Sequence, residues 1–419
     1  MATSQLKFRQ SIRAACAPAR QRGFSLIELM IAITIGLFLI SGMALIFVNS
    51  VQSRTELDKS SRQIENGRYA AQALREDVEL AGFYGDYLPP LPTTGISPGP
   101  VGWTTPDPCA LVLNNMGFNV PATSPISVPV GIYGYSGTTA LPTTCDAYIS
   151  NRKSGTDALV VRRVSTAALK IDADENGSAD TTVTNDDGTA GVSYASLGGS
   201  YYLQVSNCSD EQPAKTAFVM DRNTANFTLH RVRPMGTPAT CSTGALSPLR
   251  KYMVRIFYIS TCNDCSGSGD GIPTLMTADL TGSTSTCTDP AAICGSLTVL
   301  PVAEGIENLQ FEYGLDDNLD GVPDRFVTDP SDTTTNALPV TVPATASNWQ
   351  NVVAVKIFLL ARNALASAGY VDSKTYSLSS DGAALSPSPA ASDPATGGYK
   401  RHVYFSYARA VNIGGRREQ

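Results

Sequence analysis

The chain has 419 residues, 42% hydrophobic and 16% charged, with 31 Lys and Arg against 37 Asp and Glu. That acidic balance argues against nucleic acid or anionic lipid as a partner for the bulk of the chain. The length suffices for one or two β-rich lobes. In chain order, residues 1–23 come first and carry Lys7, Arg9, Arg13, Arg20 and Arg22 with no acid. An almost unbroken apolar run from Phe24 to Val48 follows, interrupted by Glu28. At about 1.5 Å per residue it covers a hydrocarbon core of roughly 30 Å. A secretory signal peptide is excluded, because its apolar core is only about 7–15 residues long and ends at a small-residue cleavage site. An ordinary anchor fits the length but leaves Glu28 unexplained, since a carboxylate inside a membrane helix is costly and normally has a partner. The basic leader stays in the cytoplasm by the positive-inside rule, so everything beyond about residue 50 lies outside the membrane.

Arg22-Gly23-Phe24-Ser25-Leu26-Ile27-Glu28-Leu29 resembles the cleavage motif of type IV prepilins at every position. The resemblance implies cleavage between Gly23 and Phe24 by a prepilin peptidase and N-methylation of Phe24. Removing the leader leaves 26 basic against 37 acidic side chains, a formal charge of −11. The new amine on Phe24 of one subunit then meets Glu28 of its neighbour. Charge pairing in a low-dielectric core depends strongly on distance, so the pair sets the register between subunits. The helix dipole adds a smaller benefit to a carboxylate in the first turns.

The helix is expected to continue beyond the membrane. Leu57, Ser61, Ile64, Ala71, Leu74, Val78 and Ala81 recur at helical spacing, while Arg54, Lys59, Arg62, Glu65, Arg75 and Glu76 fall off that stripe. Gly82 and Gly85 end the pattern and Pro89-Pro90 blocks its resumption. The expected domain plan is a leader (1–23), a pilin-type helix (24–85, with 24–48 in the membrane), a loop-rich connection (86–154) and a β-rich globular domain (155–419).

Strands are expected at Ala158–Val164, Tyr201–Ser206, Phe218–Asp221, Phe227–Val232, Tyr252–Ser260, Leu297–Val302, Leu309–Tyr313, Val352–Ala361 and His402–Ala410. These runs are β-branched or aromatic and lie between Gly, Pro, Asn and Asp clusters. Pro89–Pro100, Ser331–Ser347 and Ser377–Gly398 read as surface loops. The expected fold class is α+β, a long N-terminal helix packed on an antiparallel, disulfide-bonded β-rich domain.

Outside the leader's Cys16 there are eight cysteines, at 109, 145, 208, 241, 262, 265, 287 and 294. An even count in an exported domain reads as disulfides. Sequential pairing joins Cys109 to Cys145 and Cys208 to Cys241, and Cys262, Cys265, Cys287 and Cys294 pair among themselves in an order left open. Cys262-Asn263-Asp264-Cys265 invites redox or zinc readings, but no helix starts there, no His is near, and the second pair is spaced too widely for a zinc ribbon.

Further stretches are similar to the PilW family of type IV pilus minor pilins. They are Arg62-Gln63-Ile64-Glu65-Asn66-Gly67-Arg68-Tyr69-Ala70 with Leu74, Asp77 and Ala81-Gly82-Phe83-Tyr84-Gly85; Gly155-Thr156-Asp157-Ala158-Leu159; and Val302-Ala303-Glu304-Gly305-Ile306-Glu307-Asn308-Leu309 with Tyr313-Gly314-Leu315-Asp316. The resemblance implies a priming complex with other minor pilins and the major pilin, initiation of pilus assembly and a place near the pilus tip. A tip adhesin and the inner-membrane assembly platform would be further partners. A type II secretion pseudopilin shares the leader and helix.

Two acidic loops point to calcium. Asp316, Asn318, Asp320 and Asp324 fall at positions 1, 3, 5 and 9 of a calcium loop with Gly321 at 6. Asp172, Asp174, Asn176 and Asp180 repeat the spacing around Gly177. Val327 and Val183 stand where a bidentate Glu is expected, so an Asx-rich turn without metal is the alternative. A calcium-dependent, membrane-tethered binding module is therefore a competing function. An enzyme finds no support, because His230 and His402 lie in strand-like contexts and no nucleophile, phosphate-loop or zincin motif is present.

Overall fold

The computed structural model describes residues 23, 25–87, 101–118, 126–197, 199–206, 218–231, 244–282, 293, 295–331, 347–380 and 398–418. Two compact units divide the chain, residues 1–58 and 59–419. Helix α1 runs unbroken over Leu26–Leu80. Its 55 residues contain no proline and are rich in Leu, Ile, Met and Ala, which lose little freedom or pack well in a helix. In the first unit it is long and apolar enough to cross a membrane, and its large apolar side chains are exposed, Phe38 to 82%.

In the second unit α1 buries Gln63, Gly67, Ala70, Leu74, Asp77 and Val78, a stripe at steps of three and four. Leu74, Val78 and Ala81 of the expected stripe are buried, whereas its earlier members Ser61 and Ile64 are exposed and Gln63 and Gly67 take their place. The reason is chemical: the positions facing the sheets must donate to carbonyls or admit an aromatic ring, tasks for Gln63 and Gly67 rather than for aliphatic groups. The helix ends as the glycines require. Gly82 adopts φ +72° and its N–H donates to the Arg162 carbonyl at 3.0 Å.

Fifteen strands are described: β1 (Val101–Thr104), β2 (Ile126–Pro129), β3 (Ile132–Tyr135), β4 (Ala158–Val164), β5 (Thr182–Thr184), β6 (Ala190–Ser193), β7 (Tyr202–Val205), β8 (Phe218–Asp221), β9 (Leu249–Ser260), β10 (Thr274–Thr281), β11 (Ser296–Glu304), β12 (Ile306–Leu315), β13 (Arg325–Val327), β14 (Val352–Arg362) and β15 (Arg401–Arg409). One large sheet has the order β11-β10-β9-β4-β3, with β7 on β9 and β8 on β7; the other has the order β13-β12-β14-β15. All pairs in these two sheets are antiparallel, whereas β1 and β2 form a small parallel pair. The chain is thus α+β.

Gly305 makes the transfer between the two sheets, turning at φ +77° between β11 and β12. Ala70, Leu74 and Val78 of α1 and Ala81 just beyond it share one core with Leu159 of β4, Phe257 of β9, Phe311 of β12 and Ile357 of β14. Full burial of Leu74 and Val78 stabilises by about 1.5–3 kcal/mol each. A second core fills the other face of the larger sheet, around Tyr84, Phe218 and Tyr252.

The pattern differs from expectation in several places, the short strands β5, β6 and β13 among them. Phe227–Val232 is no strand over its described residues: a short 3-10 turn precedes it, and His230 makes an isolated bridge to Leu246. Residues 86–154 contribute β1, β2 and β3 rather than loops alone, because strands of four residues can be specified by sheet neighbours with little local pattern. Thr274–Thr281 forms β10, where Ala278 and Asp279 blunt the local β signal but β9 and β11 pair on either side.

Gly67 packs so tightly under Tyr404 that a Cβ there would overlap the ring. Gly67→Ala is expected to cost about 1–3 kcal/mol by overpacking, read as a lower melting temperature of the full chain in detergent. Much of that loss should be recovered in the Gly67→Ala/Tyr404→Ala double variant.

Candidate functional site

At the start of α1, Ser25 acts as the N-cap and Glu28 as the third helical residue. The Ser25 N–H donates to Glu28 Oε2 at 3.0 Å, and the Leu29 N–H donates to the Ser25 carbonyl at 3.2 Å. This is one half of a capping box, with Ser25 and Glu28 in S-x-x-E spacing. A lone chain thereby supplies Glu28 with one donor at the positive end of its own helix. Gly23 is exposed, and Phe24 lies outside the described residues.

In the second unit, the three sets of family-like residues meet at the junction of α1 with the two sheets. Gln63 Nε2 donates to the carbonyls of Ala361 and Lys400 at 2.9 and 3.0 Å, and Asn66 Nδ2 to that of Glu304 at 3.1 Å. Asp77 pairs with Arg255 at 2.6 Å and Arg163 at 3.5 Å, and Arg255 also grips Asp279 at 2.7 Å. Hydrogen bonding to Asp279 and the charge of Asp77 hold the Arg255 guanidinium above its usual value. The Gly155–Leu159 stretch lies against the Glu307–Phe311 stretch. The Asp157 N–H donates to the Leu309 carbonyl, and the Phe311 N–H donates back to Asp157 Oδ2, both at 2.9 Å. Arg401 bonds Glu307 at 2.5 Å and Asp372 at 2.9 Å in the same region. Sequence alone marked Gln63, Asn66, Gly67 and Asp77 without assigning them tasks, and no local signal pointed to Arg163 or Arg255.

The two acidic loops share one architecture. Position 1 in each, Asp316 or Asp172, accepts the amides of positions 5 and 6 at 2.9–3.1 Å. Position 9, Asp324 or Asp180, accepts the amide of position 2 at 2.7 Å. Position 4, Leu319 or Glu175, and the following Gly321 or Gly177 have positive φ in both. Their surroundings differ. Arg417 Nη1 donates to the fully buried Asp316 at 2.9 Å, so a guanidinium already neutralises that carboxylate. Burial opposes ionisation at Asp172, but the amides of Leu246, Gly177 and Asn176 outweigh it and hold the carboxyl below the usual range. Asp174, Asn176, Asp180, Asn318, Asp320 and Asp324 line the loops without drawing three carboxylates together. Among the described residues, the one group of three metal-type side chains within 4.8 Å is Asp107 with Cys109 and Cys145.

Those two cysteines are bonded to each other, as are Cys262 and Cys265 in the β9–β10 connection. Cys208, Cys241, Cys287 and Cys294 lie outside the described residues. His402 is exposed and stacks edge-on against Tyr404, with centroids 4.8 Å apart.

Asp157 carries a pH dependence. Burial pushes its carboxyl up to about 6, while the amides of Phe311 and Gly137 and the charge of Arg152 pull the other way. The folded chain thus holds this proton more tightly than the unfolded chain does. Its contribution is most favourable below the ordinary carboxylate value and is lost as pH rises through about 6, by on the order of 3 kcal/mol. Melting curves between pH 4 and 7 should show this component in the parent chain and not in Asp157→Asn.

Comparison with known families agrees with this arrangement. Residues 256–412, running from β9 through β15, match the family model PilW, described as Type IV Pilus-assembly protein W. Residues 18–44 match the prokaryotic N-terminal methylation motif. No curated protein and no solved structure matches the chain. PilW is a structural, pilin-like family rather than a known enzyme family. With the methylation motif at one end and the PilW match over the C-terminal part, the chain is similar to the type IV pilin-like PilW family.

Proposed function

We propose that the chain is a minor pilin that starts type IV pilus assembly. It enters the inner membrane as a prepilin, is cut between Gly23 and Phe24, is methylated on Phe24, and joins other minor pilins in a priming complex. The β-rich part then lies in the periplasm, and after polymerisation at the pilus tip, where it supports adhesion and twitching motility. The observation that carries this reading is one carboxylate, Glu28, in the first turn of a helix whose following apolar turns are exposed. Such a helix needs lipid or other helices around it. On assembly the amine of a neighbour's Phe24 can replace the Ser25 amide as partner of Glu28, exchanging a neutral donor for a charge in the same low-dielectric setting. Exposed Leu57, Ile64 and Tyr69 extend the apolar surface available to neighbouring helices.

Mass spectrometry of the purified protein should find an N-terminus at Phe24 carrying one methyl group. Deleting the gene should abolish surface pili, and Glu28→Gln should reproduce most of that defect at unchanged protein level. Retention of residues 1–23, or full piliation in the Glu28→Gln variant, would remove the proposal. Lost exoprotein secretion with normal pili would instead make the chain a pseudopilin.

Calcium is a second, separable reading, supported by the repeated loop geometry and favoured at the 172 loop, where the guanidinium of Arg231 falls on Glu175 rather than on Asp172. Adding calcium to the chelator-treated full chain in detergent should raise its melting temperature by several degrees, and Asp174→Ala should abolish the shift. An unchanged melting temperature eliminates calcium at both loops.

A further inference from the structure

The face of the larger sheet that receives α1 continues past the helix. In register, Val161 of β4 stands opposite Arg255 of β9, Arg163 opposite Met253, and Arg255 opposite Asp279 of β10. Strand alternation puts these side chains, and Lys251 two positions along β9, on one face. With Asp77 of α1 they line a cavity of about 170 Å³. A cavity of about 150 Å³ is enough for benzene. Three cations there face two acids, and Arg255 engages both acids. Its Nη1 donates to Asp77 at 2.6 Å, and its Nε and Nη2 donate to Asp279 at 2.8 and 2.7 Å. Arg163 is left with Asp77 at 3.5 Å and the Val164 carbonyl at 3.4 Å, both longer than an ordinary hydrogen bond. Its side chain is only 14% exposed, yet none of its nitrogens is sealed off without a partner, so its spare donors open onto the cavity. The exposed Lys251 ammonium meets no partner among the described residues.

We propose that this cavity binds one carboxylate on a short aliphatic stem, with the carboxylate between Arg163 and Lys251 and the stem against Val161 and Met253. Arg163 and Lys251 are diagonal neighbours on adjacent strands, with Cβ atoms about 7–8 Å apart, two like charges with no acid left to separate them. An anion between them relieves that repulsion, and the planar guanidinium fork suits a carboxylate. The single positive charge in excess selects one anionic group rather than two. The aliphatic wall favours an acid with a hydrocarbon arm over a bare inorganic anion. A free short-chain acid and the glutamate side chain of another protein share this chemistry. The inference is independent of the membrane helix, of Glu28 and of the acidic loops.

The test titrates the full chain in detergent with butyrate, with butanol and with glutamate capped at both ends as amides. Butyrate should bind saturably and raise the melting temperature, because it binds the folded chain alone. Butanol, which has the stem without the charge, should bind at least tenfold more weakly. Lys251→Met, a change at an exposed side chain, should weaken butyrate at least tenfold and leave the melting temperature of the unliganded chain unchanged. Capped glutamate binding within tenfold of butyrate supports the proposal with a protein side chain as the source. Weaker binding of capped glutamate supports it with a free acid as the source. The proposal is overturned by absent saturation with butyrate, by equal affinity for butanol, or by undiminished butyrate affinity in Lys251→Met.

Discussion

The seating of α1 depends on polar contacts as much as on apolar packing. Gln63 satisfies the Ala361 and Lys400 carbonyls where β14 and β15 meet the helix, and Asp77 neutralises Arg163 and Arg255 on the other sheet. Hydrophobic burial between them, through Ala70, Leu74 and Val78, is non-directional and would tolerate sliding or rotation of the helix. The two polar fastenings would not, because an amide displaced from its carbonyls or a carboxylate displaced from its guanidinium leaves a buried group unsatisfied. Gly67 adds a steric condition, since only a residue without a side chain fits beneath Tyr404. Helix register and rotation are thus specified at three points along about four turns.

The same helix meets opposite requirements in its two units. Before residue 59 it is apolar on all sides, apart from Glu28 and a few small or hydroxyl groups, up to about residue 48. After residue 59 it has one face for the sheets and another for water. One continuous element can satisfy both because α-helical hydrogen bonds are internal to the segment, whatever surrounds it. That is the physical reason one helix can carry both the membrane signal and a face for the sheets.

Much of this was legible in the sequence. Local patterns located β4, β9, β12 and β14, which are long or strongly β-branched, and also β7, β8, β11 and β15, all lying between turn residues. They also located the end of α1 at its glycines. The helix stripe was harder, because its sheet-facing positions include Gln63, Gly67 and Asp77, which a hydrophobic period cannot select. β10 and β3 owe their state to neighbours distant in sequence. Partnerships such as Asp77 with Arg255, or Asp316 with Arg417, join residues more than a hundred positions apart, and no spacing rule reaches that far. The acidic loops show the converse, as their spacing was evident but the buried guanidinium at one of them was not.

The bond between Gln63 and the Lys400 carbonyl closes a loop of 337 residues. A contact so remote along the chain forms only after nearly all of the polypeptide has emerged and both sheets exist to receive it. Until then the inner faces of β4, β12 and β14 lack their cover, and the amphipathic half of α1 has no seat. The docking of the helix is accordingly a late event in maturation. During that interval the nascent protein is most exposed to proteolysis and mispairing.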